Sequence, residues 1–447
     1  MIAGIDQSHR HGKIERNSLF LSTISIAIIV SANTAFAIIP DNPATVLPYL
    51  FILISIVIFF LLSSHDQKYK KTSYAFLLFL FIYFLSSFFV QAVNSMQQIS
   101  FNSNLILVTK GDLCNAVLRP SFYTQSGYLI CNVFLYIILK NYGDISYEKK
   151  MFWALRLLLI YGIYEWIYFL IFREPGDFIS NRIFNGDKES VIGGSSQIIT
   201  LGGMTLLRLK GYTGEPSMFA FTVLPYFALS IGLKRKWDAF FCFICLFLSL
   251  STTAYLGLVV YLLYMSFFSS VKKGNYRYLA ILLSCLGILI FLYVCIEQFR
   301  LVINDVLYTK LFGTNASSEE RGSFFRVTID FWLNSSIINF LLGYGFGYVR
   351  STDFFSTVLF NTGLLGFLSF SLFIFSHLSI RFKNKNLQDN YRAAVVMLYF
   401  VMMTSVPEFA YSTTWIILAS GYFLKNYDPV NELSRRSISH LKPTSKG

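Results

Sequence analysis

The chain has 447 residues, of which 55% are hydrophobic, 18% aromatic and only 14% charged. Soluble globular proteins carry about 25% charged residues, so the composition excludes an ordinary soluble enzyme and indicates a polytopic membrane protein, with apolar runs near the roughly 20 residues a bilayer requires. The net charge of +13 fits cytoplasmic loops rich in Lys and Arg, and no nucleic-acid partner is expected.

Residues 1–16 are polar, carry Arg10, Lys13 and Arg16, and read as a disordered cytoplasmic tail. The first apolar run is too long for the core of a cleavable signal peptide. Spans are expected at about 17–39, 46–63, 73–95, 121–140 and 151–172. The loop 96–120 contains an apolar patch, 105–108, too short to span. A long polar segment, 173–216, follows, with Gly186, Gly193, Gly194, Gly202 and Gly203. The sixth span, 217–233, ends at Lys234, Arg235 and Lys236. Residues 239–268 are apolar except for the Ser/Thr cluster at 249–253. They form either one tilted helix or two short helices with a turn at that cluster. Basic residues flank both ends, and if both flanks are cytoplasmic the run crosses twice. A span at 278–296, a second long polar segment at 297–354 and a span at 355–380 come next. The last apolar stretch, 393–424, is split at Pro407 and Glu408, and a basic tail, 425–447, ends the chain.

The reading is an all-α polytopic membrane protein with about twelve transmembrane helices: a tail at 1–16, one transmembrane domain at 17–424 and a tail at 425–447. Charge sets the orientation. The five expected internal loops hold sixteen Lys or Arg, against two (Lys110 and Arg119) in the four short external ones. Cytoplasmic loops are the ones enriched in these residues, so both termini lie inside and both long segments, 173–216 and 297–354, lie outside. ATP and nucleotide sugars are not supplied there, and a transferase on that face needs a preactivated, lipid-linked diphosphate donor.

Residues 208–217 hold Arg208, Lys210, Gly211, Gly214, Glu215 and Pro216. Pro216 suits the first position of a helix, where its missing N–H leaves nothing unpaired, and the glycines permit an irregular approach. A loop reaching a helix N-terminus beside cations suits a phosphate or diphosphate; a membrane-helix cap with interfacial basic residues fits equally. Each external segment holds five cations: Arg173, Arg182, Lys188, Arg208 and Lys210 in the first, and Arg300, Lys310, Arg321, Arg326 and Arg350 in the second. Arg321 and Arg326 fall in a stretch that reads as a short interfacial helix. Guanidinium groups bind phosphate oxygens bidentately, although snorkelling to lipid headgroups accounts for single arginines as well. The cluster Gly343, Gly345 and Gly347 around Tyr344 is expected to turn the second segment back to the membrane. Glu165, in the middle of the fifth span, is either functional or paired with another polar group, because an ionisable side chain there costs roughly 2–3 kcal/mol or more. His377 reads as structural. The histidines and six cysteines suggest neither a metal site nor a disulfide framework.

In order along the chain, RLKGYTGEPSMFA at 208–220, SLSTTAYLG at 249–257, Arg321, GYGFG at 343–347 and NTGLLG at 361–366 resemble the motifs of Wzy-type O-antigen and capsule repeat-unit polymerases. The first is similar to their R-x-x-G-x-x-x-E-P-S-x-x-A segment. The resemblance implies a glycosyltransferase of the bacterial inner membrane that moves a growing glycan from one undecaprenyl diphosphate onto a newly flipped, lipid-linked repeat unit. It implies Arg208 and Arg321 as the grip on the donor diphosphate and Glu215 as the carboxylate that orients or deprotonates the acceptor hydroxyl. Lys210, Gly211, Arg326, Tyr344 and Glu165 are the candidate substrate-binding residues. No metal or cofactor is implied; partners are the lipid-linked donor and acceptor, the bilayer, a chain-length regulator and a flippase. Related O-antigen ligases share the fold but usually carry a His where this chain has Thr352, and a Glu where it has Asn361. The missing His favours a polymerase. A transporter is the competing class, disfavoured because the polar residues gather in the long segments.

Overall fold

A computed structural model describes residues 17–427, apart from 34–35, 40–44, 63–65, 98, 102, 110–112, 114–115, 181–197, 202–203, 270–271, 298–299, 301–315 and 407. A helix forms at each of the twelve apolar segments read from the sequence. They are α1 (Asn17–Val30), α2 (Leu47–Leu61), α3 (Gln67–Gln97), α4 (Pro120–Tyr142), α5 (Ser146–Phe172), α6 (Pro216–Gly232), α7 (Lys236–Leu248), α8 (Thr252–Phe268), α9 (Lys272–Cys295), α12 (Phe354–Ser376), α13 (Lys385–Ser405) and α14 (Ser412–Leu424). The second polar segment adds α10 (Ala316–Leu333) and α11 (Ile337–Leu342). The first adds an antiparallel hairpin of β1 (Ile198–Leu201) and β2 (Met204–Leu207), in which Leu201 pairs Met204. Among the described residues, five helices are long and apolar enough to cross a membrane: α3, α4, α5, α9 and α12.

Local chemistry sets the boundaries. Proline occupies the first turn of α2, α4 and α6, where no N–H is needed. The 239–268 run is two helices, broken between Leu248 and Thr252, and the last apolar stretch is likewise two, α13 and α14. The first helix ends at Val30, short of the expected 39. Ser31 and Asn33 follow it, and the Ser31 hydroxyl donates back to the Ile28 carbonyl at 2.6 Å, the local competition that ends helices. Helices α3 and α13 instead begin before their expected apolar spans, at Gln67 and Lys385. Charged turns without Pro or Gly extend them, and the Asn384 side chain caps α13 by accepting from the Leu387 N–H at 3.2 Å.

Helices α6, α13 and α14 are buried along most of their lengths. Gly232 of α6 sits where a Cβ would lie 2.9 Å from the Asn390 Cβ of α13, so the two backbones approach closely. Helix α3 instead exposes Leu77, Leu78, Phe81, Ile82, Phe84 and Phe88, a continuous apolar face of the kind a bilayer covers.

Contacts between helix ends divide the bundle into two ends. At one, the Leu209 N–H donates to the Leu248 carbonyl, Leu107 bridges Val349, Thr253 donates to Ser405 and Gln97 meets Ser336. At the other, Arg235 pairs with Glu148, Arg156 with Asp238, and Ser269 donates to Asp389. The described parts of both long polar segments therefore share one end.

Candidate functional site

The hairpin delivers the chain to residues 208–215. Its β2 strand ends at Leu207, and the next peptide is anchored where the Leu209 N–H donates to the Leu248 carbonyl of α7 at 3.1 Å. A 3-10 turn, Gly211–Thr213, follows. Gly211 has φ +56°, and a Cβ there would lie 2.9 Å from Leu158 Cδ1; Gly162 of α5 has the reciprocal relation to Leu209 Cδ2, at 2.8 Å. Two glycines thus let the loop lie on α5. Glu215 holds the N-cap position of α6 with extended backbone, φ −137° and ψ 150°. Its carboxylate does not cap the helix. It accepts from the Ser217 hydroxyl at 3.2 Å.

Lys210 and Glu165 are fully buried and face each other, Nζ to Oε1, at 3.5 Å. Lys210 also pairs with Asp177, from the start of the first polar segment. Asp177 Oδ1 accepts from the Tyr161 hydroxyl at 3.1 Å and the Ser180 N–H at 2.9 Å. Burial pushes the Asp177 carboxyl up, but the Lys210 ammonium and these hydrogen bonds more than offset it and hold the pKa below the usual value. The cluster ties α5, residue 177 and the 208–215 loop together.

Arg208 belongs to the first polar segment. It is half-buried, in the electrostatic reach of Arg321 on α10, Glu215 and Tyr255 on α8. Burial first, then Arg321, pulls its pKa below the ordinary arginine value. Neighbouring guanidinium groups disfavour each other's charge, and an anion beside them relieves that cost. Arg350 completes the group. It pairs with Glu408 in the loop between α13 and α14 at 2.6 Å, the side chains 33% and 13% exposed. Burial disfavours its charge, but Glu408, then Tyr411 and Glu215, offset this and raise its pKa. Thr352 Oγ1 donates to the Arg321 carbonyl at 3.5 Å, tying α10 to the 349–353 stretch. Arg208, Arg321, Arg350, Glu215 and Glu408 thus converge from four parts of the chain.

The glycine turn leads directly into Arg350. Gly343 has φ +77° and Gly363, inside α12, has φ +64°; a Cβ on Gly343 would lie 2.4 Å from the Asn361 carbonyl carbon, and one on Gly363 2.4 Å from that of Leu341. The two backbones interlock. Asn361 accepts from the N–H groups of Tyr348 and Val349, each at 3.0 Å, and donates to the Val349 carbonyl at 2.8 Å. This side-chain amide clasps the turn, a role that needs a donor and an acceptor together. Arg350 follows directly, its N–H held by the Ile106 carbonyl at 3.0 Å.

Of the residues singled out from the sequence, Glu215 and Arg321 lie within electrostatic reach of Arg208, and Gly211 packs on Leu158 of α5. Lys210 and Glu165 are sealed against each other. Tyr344 is buried in an aromatic group, its ring centroid 4.8 Å from that of Phe360. Arg326 is exposed on α10, turned about 140° around the helix axis from Arg321. Arg182, Lys188 and Lys310 lie outside the described residues. His377 is at the opposite end, its Nε2 2.9 Å from the Tyr136 hydroxyl. The sequence reading did not single out Asp177, and it used Glu408 only as a helix break. For Glu408 the available signal was a carboxylate inside an otherwise apolar stretch; Asp177, in a polar segment, carried none. An apolar groove of about 490 Å³ lies apart from these charges, lined by Phe84, Phe88, Gln91, Leu118 and Phe122 among others. Among the described residues no three His, Cys, Asp or Glu side chains gather as a metal site. Compared with known protein families, characterised proteins and solved structures, the chain matches none.

Proposed function

We propose that this chain is a membrane-embedded glycosyltransferase that polymerises undecaprenyl-diphosphate-linked oligosaccharide repeat units into a bacterial surface polysaccharide. In this reading it crosses the inner membrane twelve times, both termini are cytoplasmic, and the site faces outward. The observation that carries the reading is the meeting of Arg208 and Glu215, from the first polar segment, with Arg321 and Arg350, from the second. The acceptor hydroxyl oxygen attacks the anomeric carbon of the donor sugar. The bond from that carbon to the phosphate oxygen breaks, and its electron pair leaves on the diphosphate. Arg208 and Arg321 stabilise the charge that develops there, an electrostatic contribution aimed at the transition state. Glu215 takes the hydroxyl proton.

The test is a gel of surface polysaccharide from a strain lacking the protein. Single-repeat material in place of a ladder is expected. Lipid-linked polymer that accumulates untransferred would indicate a ligase, and repeat units trapped on the cytoplasmic face a flippase. Complementation with Arg208→Ala should restore no ladder at normal protein level. Arg208→Lys should restore little, because an ammonium cannot make the bidentate contact; full-length ladders from either variant would remove Arg208 from the mechanism.

A further inference from the structure

The cluster of Lys210, Asp177 and Glu165 takes no part in the transfer chemistry, and its charges do not balance. All three side chains are fully buried. One ammonium faces two carboxylates, and among the described residues no other charged side chain stands against Glu165. Tyr161, on the same helix, donates to Asp177, and Tyr212 of the loop packs its ring centroid 5.3 Å from that of Tyr161. The titratable groups of α6 and α7 are engaged elsewhere. Tyr226 packs on Phe152 beside Cys242, Asp238 pairs with Arg156, and Glu215 lies in the electrostatic reach of Arg208 and Arg350.

The two carboxylates are not equivalent. Asp177 is surrounded by donors: the Lys210 ammonium, the Tyr161 hydroxyl at 3.1 Å, and the N–H groups of Ile179 at 3.2 Å and Ser180 at 2.9 Å. Donors of this kind favour the ionised form. The Glu165 oxygens make no hydrogen bond; the Lys210 ammonium, at 3.5 Å, and the Gly211 N–H are the donors that face it. A sealed carboxylate beyond the one that the lysine balances is far costlier ionised than neutral, and such groups neutralise instead.

We propose that Glu165 is a proton-binding site: it holds one proton at neutral pH, brings the cluster to zero net charge and leaves the 208–215 loop anchored by a single Lys210–Asp177 pair. Glu165 is then a neutral carboxylic acid packed against that pair. The inference stands apart from the diphosphate-transfer reading, because it concerns the anchor of the loop and not the group transferred. It also makes the anchor conditional. When Glu165 releases its proton to water in an alkaline medium, a second carboxylate competes with Asp177 for Lys210. The tie between residue 177 and the loop that carries Arg208 and Glu215 then weakens.

Infrared spectra of the purified full-length protein in nanodiscs test the proposal. At neutral pH the wild type should show the carbonyl stretch of a protonated carboxylic acid, shifted in heavy water, and Glu165→Gln should lose it. Asp177→Asn leaves one carboxylate for one ammonium, so Glu165 should ionise and the band should again be absent. Raising the pH should remove the band from the wild type, a readout that needs no variant. Glu165→Gln keeps the shape of the neutral acid, so its unfolding temperature at neutral pH should match that of the wild type. A Glu165 that is ionised and paired with Lys210 has the opposite signature. The wild type then has no such band to lose, and Glu165→Gln lowers the unfolding temperature, as when one partner of a buried pair is removed. Either result overturns the proposal, and so does a band that persists in Asp177→Asn.

Discussion

At the residue scale, Lys210 is the side chain whose removal should be felt most. It is fully buried between Glu165 and Asp177, and without it two carboxylates face each other with no cation. Lys210→Met should lower stability by about 3–5 kcal/mol, the usual loss when one partner of a buried pair is removed. Adding Glu165→Gln and Asp177→Asn should recover most of it, as thermal unfolding in detergent would register. Asp177 also sets an acid limit. Its pKa is depressed in the folded protein, so its stabilising contribution is present above the unfolded carboxylate value near 3.9 and is lost as pH falls through the lower folded value. Between about pH 4 and pH 3 the wild type should therefore lose more stability than Asp177→Asn; equal losses would remove this cluster as the cause. The sequence made Arg208, Glu215 and Arg321 legible because each stands in a polar interruption of an apolar pattern. It hid the partners. Nothing local ties Glu165 to Lys210 or Arg350 to Glu408, since both pairings join residues far apart in the chain.

At the element scale, glycine decides how closely helices approach. A Cβ on Gly257 of α8 would lie 2.2 Å from Leu224 Cδ1 of α6, and α6 opens with the candidate site. Gly257→Leu should destabilise by about 1–3 kcal/mol through overpacking. Leu224→Ala in the same chain should relieve part of that, a coupling that a double-mutant cycle of unfolding midpoints measures. Helix positions were readable because long apolar runs leave few alternatives. The breaks at 249–251 and after Ser405 were readable because Ser, Thr, Pro and Glu interrupt them. The hairpin was missed although Gly202 and Gly203 stand between two short apolar runs, a two-residue turn signal. Four-residue strands are too short to establish a period of two against the surrounding polar sequence.

At the scale of the whole molecule, the two polar segments meet because every helix between them returns to the correct end. Cysteine labelling tests the orientation proposed for that end. In a cysteine-free background, Gly322→Cys, on an exposed stretch of α10 with open space around it, should react with a membrane-impermeant maleimide in spheroplasts. Lys149→Cys, exposed near the start of α5, should react only after the membrane is opened. The reverse pattern would place the arginine group in the cytoplasm and remove the need for a lipid-linked donor.

The interlocked backbones at Gly343 and Gly363 constrain the descent of this protein. Each glycine makes room for the chain that carries the other, so a side chain gained at either position displaces the turn that places Arg350. In lineages that keep the turn, the two glycines should be inherited together. Loss of one should mark either a shifted turn or a copy of the gene released from selection, and an alignment of relatives would show which.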